Sequence, residues 1–269
     1  MNLEKTLGFI GAGNMATAII NGLLRNQVIP ANMISVFDVN SAQQEIMKGR
    51  GVNTVKSACD LVANSEIIVL AVKPQNYEEV LTEIKDVVTQ EKIFVSIAAG
   101  ISISYVQSMV QCKCPMVRVM PNTPLLLGKG ATALCPSENI GDEDFMYIKK
   151  IFSLNGVVEV FSENHMNEII AVNGSSPAYI YLFAKAMADY AQDCGINKES
   201  ALNLIVATLE GSAAMLRDSG DDPDILIKKV SSPGGTTISA LNTLEEYKFY
   251  EGIKEAMKSC TTRAEELGK

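Results

Sequence analysis

Apolar positions along this chain follow two regimes, and the change between them falls near residue 160. Before it, short continuous apolar runs alternate with stretches whose apolar residues recur every three or four positions. The runs are bounded by glycine, proline or polar clusters and read as buried strands; the periodic stretches read as helices. Strands are expected at 7–10, 36–38, 66–72, 92–97, 117–120, 131–134 and 156–160. Helices are expected from Asn14, from a Ser41 cap to about Gly49, and from a Ser57 cap through Ala63. Others follow over 75–85, where Pro74 suits a first turn, from Ser102, and over 142–152. Such alternation implies an α/β fold with a doubly wound parallel sheet.

After Glu163 the spacing is helical throughout, with no convincing strand. Helices are expected over 163–172, 177–194 up to Gly195, 198–219, a short piece through 230, 236–244, and a last one to 267. The second and third are apolar on more than one face, with Ala184, Ala188, Ala191, Ala207, Ala213 and Ala214 leaving room for close packing. A helix of that kind needs burial on two sides, which a small all-α domain cannot supply alone. The division is therefore residues 1–162 and an all-α domain over 163–269, with a homodimer through the C-terminal helices.

Composition narrows the setting. With 47% hydrophobic and 20% charged residues the chain is globular rather than disordered. A net charge of −8 argues against a nucleic-acid partner and against an acidic membrane surface. No apolar run reaches the roughly eighteen residues of a membrane span, and no signal peptide is apparent ahead of the first strand. Six cysteines without a CxxC pair, beside a single histidine, suggest reduced thiols in a cytoplasmic protein and no metal site.

Chemistry concentrates in two stretches. In the first, Gly11-Ala12-Gly13 joins strand to helix, with Ala16 at the third small position of a GxGxxG/A pattern. Gly11 permits the tight turn, Gly13 lets a ligand approach the backbone, and the helix start favours a pyrophosphate. Asp38 ends the second strand where a ribose-binding carboxylate belongs, which makes the α/β part Rossmann-type. Residues 11–15, 71–74, 97–100 and 120–123 end strands on one sheet edge, where open α/β sheets bind ligands. In the second stretch, Ser231-Ser232-Pro233-Gly234-Gly235-Thr236-Thr237 opens a helix. The two glycines free the backbone, first-turn N–H groups suit a small carboxylate, and the threonines add hydroxyls. Arg118, inside an apolar strand, is expected to pair structurally with a carboxylate; Lys73 either reaches the cofactor or lies along the rim in water.

The motifs GFIGAGNMA, AVKPQ, MPNTP, GSSPAY and SPGGTTISALNTLE occur in this order over essentially the whole chain, which thereby resembles the pyrroline-5-carboxylate reductase family. The resemblance implies a Rossmann domain, a helical dimerisation domain and hydride transfer from NADH or NADPH to C5 of 1-pyrroline-5-carboxylate, giving proline. It implies dinucleotide contacts from Ile10, Gly11, Ala12, Gly13, Asn14, Met15, Ala71, Val72, Lys73, Pro74, Ile97, Ala98, Ala99 and Asn122. Substrate contacts would come from Glu163, Ser175, Gly234, Gly235, Thr236 and Thr237, with Thr237 near the ring nitrogen as the catalytic residue. Rings of dimers occur in relatives.

Departures from the family pattern are Asn173 for serine, Ser176 in the GSGPAY position, and Ala58 for an asparagine that touches the cofactor. Asp38 stands where many relatives carry serine or an arginine-bearing segment; a carboxylate accepts from a free 2′-OH and repels a 2′-phosphate, so NADH is expected. His165 reads as a surface or capping residue rather than the acid. Two other readings compete. A β-hydroxyacid dehydrogenase would need a lysine soon after Gly174, where the first is Lys185; a catalytically silent dinucleotide binder would have no reason to keep the Gly234-Gly235-Thr236-Thr237 turn.

Overall fold

The computed structural model describes residues 5–268. Its first unit holds residues up to Ser175 together with those from Ser259, and its second holds Ser176–Lys258.

In the first unit, strands form where apolar residues occupy both faces of the chain. β1 (Leu7–Ile10), β4 (Ile67–Leu70) and β5 (Ile93–Ser96) are buried at every position. Between them and the edges lie β2 (Ile34–Phe37), β3 (Asn53–Thr54), β6 (Met116–Met120), β7 (Gly130–Pro136) and β8 (Gly156–Val160). Their order is β3-β2-β1-β4-β5-β6-β7-β8, so the chain reverses direction across the sheet between β1 and β4. Leu7, Phe9, Ile67, Val69, Ile93 and Val95 face one core, which α1 (Asn14–Arg25), α2 (Ser41–Lys48) and α6 (Asp142–Ser153) complete. Ile10, Ile68, Leu70 and Phe94 face the other, closed by α3 (Ala58–Ala63), α4 (Tyr77–Ile84) and α5 (Ile103–Met109). Each such fully buried side chain stabilises the fold by roughly 2 kcal/mol before entropy is subtracted. Gly8 sits where a Cβ would lie 2.4 Å from the Leu61 side chain, so its absence lets α3 close on β1.

The expected wholly parallel sheet needs one correction: β7 runs antiparallel to β6, and β8 lies parallel to β7. The connection from β6 is a 3₁₀ turn over Thr123–Leu127 ended by Gly128 at φ +71. That is too short for a crossover helix, so the chain returns along its neighbour; α6 then supplies the crossover to β8. β3, two residues long and polar, carries no pattern and was not expected. Asn40, not Ser41, caps α2 through its side chain. The helix expected from residue 75 begins with a 3₁₀ turn over Pro74–Asn76 before α4. The single helix expected over 163–172 is a 3₁₀ turn at Glu163–His165, then α7 (Met166–Ile169), then a π-helical turn over Ile170–Gly174.

The second unit is helical: α8 (Ser176–Asp193), α9 (Lys198–Asp218), α10 (Pro223–Lys229), α11 (Thr236–Glu246) and the first part of α12 (Phe249–Leu267). Gly195 at φ +77 turns the chain out of α8, and the Asn197 side chain accepts from the Ser200 N–H to start α9. No helix among the described residues is long and apolar enough to cross a membrane.

Candidate active site

Parallel pairing sets the last residues of four strands level. Ile10 lies opposite Phe37 and Leu70, and Leu70 opposite Ser96. The residues that follow, Gly11, Asp38, Ala71 and Ile97, therefore form one row beyond the carboxyl edge at the reversal point, where an open α/β sheet binds its ligand.

Gly11 has φ +100, and a Cβ there would stand 2.7 Å from the Ala71 carbonyl oxygen. Its N–H donates to the Phe37 carbonyl at 2.7 Å. Gly13 is exposed, with no atom within 4 Å of where a Cβ would be, so the turn is open on the ligand side. No side chain caps α1, which leaves its first-turn N–H groups and dipole for an anion. Exposed Asn14 and half-buried Met15 complete that end, while Ile10 and Ala12 are buried beneath it. The cradle thus fits a dinucleotide pyrophosphate by its open glycine and its free donors.

Asp38 does more here than its spacing implied. One carboxylate oxygen accepts from the Ala12 N–H at 2.7 Å and the other from the Asn40 N–H at 2.8 Å. The side chain braces the glycine turn, and its remaining lone pairs can still accept hydrogen bonds. On the far side of the row, Val72 and Pro74 are half-buried and Lys73 is exposed.

Tyr77 and Ser96 were not singled out by sequence reasoning. The Tyr77 hydroxyl donates to the Leu70 carbonyl at 2.9 Å and lies 3.0 Å from Ser96 Oγ, tying the ends of β4 and β5 together. Burial raises its pKa well above that of an ordinary tyrosine, so it stays protonated. A tyrosine heading an amphipathic helix carries no signal that separates it from plain core. The turn it supports continues through Ile97, Ala98 and Ala99, with Ala98 buried.

Arg118 is paired as expected, and its partner is Glu163. The guanidinium is 3% exposed and meets Glu163 Oε1 at 2.9 Å and Asn167 Oδ1 at 2.6 Å. The Glu163 carboxylate also accepts from the Ile103 N–H at 3.2 Å and the Cys135 thiol at 3.4 Å. Burial, with the Glu163 charge adding to it, pushes the Cys135 thiol up to about 12, so it is no nucleophile. Asn122 accepts from the Ala131 N–H at 2.9 Å and donates to the Asn173 carbonyl at 3.2 Å. Asn173 donates to the Met120 and Ala131 carbonyls at 2.8 and 3.0 Å, which draws the π-turn onto the ends of β6 and β7. Ser175 Oγ lies 3.2 Å from Cys260 Sγ.

In the second unit, Gly234 has φ +72 with open space around it. Gly235 is the N-cap of α11, where a Cβ would lie 2.6 Å from Ser232 Oγ, and no side chain caps the helix. Thr236 is exposed and Thr237 half-buried. Lys185, the first lysine after Gly174, is exposed on α8 and ion-paired with Asp189. The first unit thus gathers the expected dinucleotide residues with Glu163 and Ser175, and the second holds Gly234 to Thr237 on one helix end.

Comparison with known proteins places its boundary at Glu163, ahead of the structural one at Ser175. Residues 163–267 match the family described as pyrroline-5-carboxylate reductase dimerisation, and residues 6–100 match NADP oxidoreductase coenzyme F420-dependent. The chain is 35% identical to Escherichia coli pyrroline-5-carboxylate reductase over 99% of its length and 100% of that protein's. Among solved structures, Plasmodium falciparum pyrroline carboxylate reductase with NADP bound aligns at a TM-score of 0.92 and 30% identity, covering 100% of both chains. The Coxiella burnetii pyrroline-5-carboxylate reductase aligns at 0.89 and 32%, covering 99% of this chain and 100% of the other.

Proposed function

The chain belongs to the pyrroline-5-carboxylate reductase family, and from that premise we propose that it reduces 1-pyrroline-5-carboxylate to proline with a nicotinamide dinucleotide. The observation that carries this reading is the start of α11: an uncapped helix end behind two glycines, with two threonine hydroxyls beside it. Its N–H groups suit the ring carboxylate, which an overall charge of −8 would otherwise repel. Thr237 then meets the ring nitrogen, and Gly234, Gly235 and Thr236 bind the carboxylate.

The dinucleotide, when bound, supplies a hydride from nicotinamide C4 to C5 of the imine. The chain's part is to hold and orient. The start of α1 would hold the pyrophosphate, and residues 71–74 and 97–99 would contact the dinucleotide beside it. A protonated iminium needs no proton during transfer, so a hydroxyl that fixes the nitrogen suffices, and positioning provides the rest. On this reading no histidine or lysine is required as an acid. Asn122 contributes through the backbone it ties down, since both ends of its amide have protein partners.

Asp38 favours NADH. A 2′-phosphate would meet a carboxylate already braced against Ala12 and Asn40, with no positive side chain in Val39 or Asn40 to offset it. The functional enzyme is a cytoplasmic homodimer built through the second unit, able to assemble further into rings. There, α8 and α9 leave Tyr181, Leu182 and Leu204 62%, 68% and 71% exposed, far more apolar surface than a lone domain tolerates.

A steady-state assay with 1-pyrroline-5-carboxylate, run in parallel with NADH and NADPH, tests both parts. Rapid oxidation is expected, with the higher kcat/KM for NADH. A higher value for NADPH would overturn the role given to Asp38. Oxidation of neither cofactor, with binding intact, would overturn the imine-reductase reading itself.

A further inference from the structure

The last turns of α12 lie against the turn after β5, which the proposed reaction uses, and against Ser175, which the family resemblance places at the substrate. Cys260 Sγ is 3.2 Å from Ser175 Oγ. One turn on, Ala264 is only 3% exposed. A Cβ on Gly100 would stand 2.5 Å from the Ala264 carbonyl oxygen and 3.1 Å from Leu267 Cβ, and a Cβ on Gly268 would stand 2.3 Å from the Gly100 carbonyl oxygen. Residues 260, 264 and 267–268 are spaced as one stripe of a helix. Gly100, at φ +82, closes the turn Ile97-Ala98-Ala99 that follows β5. Backbone therefore meets backbone, with glycine on both sides of the contact and no side chain able to yield.

We propose that the end of α12 is a positioning strut: Ala264 and Gly268 set the place of the 97–100 turn against the dinucleotide, and Cys260 sets Ser175. The inference rests on the functional reading above. These residues touch neither substrate nor cofactor and act through Gly100 and Ser175. The same helix starts at Phe249 in the second unit and ends in the first, so its terminal stripe belongs to the unit that holds the dinucleotide turn. Ala264 meets Gly100 through its carbonyl oxygen and is itself buried, so a larger side chain there displaces the helix end, and that carbonyl with it, by roughly 1 Å; a misplacement of that size costs up to about a hundredfold in rate.

The test uses the full chain with Ala264→Leu and Gly268→Ala, with Ala264→Ser as the small replacement and Glu265→Ala on the exposed face of the same helix. Dinucleotide Kd is read by fluorescence titration, kcat and KM for 1-pyrroline-5-carboxylate by assay, and folding by circular dichroism. Folded Ala264→Leu is expected to raise the dinucleotide Kd at least about fivefold and to lower kcat about tenfold or more. Ala264→Ser and Glu265→Ala should stay near wild type. A folded Ala264→Leu protein whose Kd, kcat and KM are unchanged, its only defect a lower Tm, overturns the strut. If Ala264→Leu does not fold, Gly268→Ala decides in the same way, because only the final turn must move. Should the wild type bind dinucleotide but reduce no imine, the functional reading falls, and the Kd comparison still judges the strut.

Discussion

Thr237, Asp38 and Glu163 show how differently a residue's role can be read from its type and from its partners. Thr237 is half-buried at the first turn of α11, and its hydroxyl is the one proposed for the ring nitrogen. Replacing it with alanine should lower kcat at least tenfold, or about 1.4 kcal/mol of transition-state stabilisation; unchanged kinetics would remove it from the mechanism. Glu163 was expected beside the substrate, and in the fold its carboxylate also serves Arg118, Ile103 and Cys135. Glu163→Ala strands a buried guanidinium and should cost about 3 kcal/mol in urea unfolding, whereas Glu163→Gln keeps acceptors for Arg118 and should keep most of that stability. Intact stability in Glu163→Ala with a raised KM for the imine would make the substrate its main partner.

Among the elements, the strand–turn–helix around Gly11 is tightly constrained. Its φ of +100 strains any L side chain, and a Cβ there would press on the Ala71 carbonyl oxygen at 2.7 Å. Gly11→Ala should therefore lose at least about 1–3 kcal/mol of stability from backbone strain alone. It should also raise the dinucleotide Kd by more than tenfold, since the turn and β4 would be forced apart. A titration showing wild-type affinity in folded Gly11→Ala protein would mean that the turn does not contact the cofactor. This element was legible in the sequence because each requirement lies within a dozen residues: a buried strand, two glycines, a small Ala16 and an amphipathic helix. The π-turn over Ile170–Gly174 was not legible, because it exists to bring Asn173 to carbonyls at Met120 and Ala131.

At the scale of the molecule, the first unit has two buried cores on either side of its sheet, and the second leaves much of its apolar surface exposed. Light scattering on the purified protein should give twice the 29.0 kDa chain mass or a multiple of it. Glu in place of Leu204, which is 71% exposed on α9, should shift that mass toward one chain or drive aggregation. A wild-type protein that stays at the single-chain mass at high concentration would overturn the homodimer.

The sequence by itself determined what local order can encode. It set the positions of the strands, the open glycine turn, the carboxylate at the end of the second strand, the change to helices, and the glycine–threonine helix start with its family resemblance. Spacing, turn chemistry and burial patterns act over a few residues, so they survive in a linear reading. Tertiary structure decided everything that depends on residues distant in sequence. It turned β7 antiparallel because its connection is short, joined Arg118 to Glu163, and set Tyr77 against Ser96. It also brought the end of α12 onto Gly100. A hydrogen bond or a close backbone contact has one geometry and many sequences that permit it, and only the folded chain selects which partners meet.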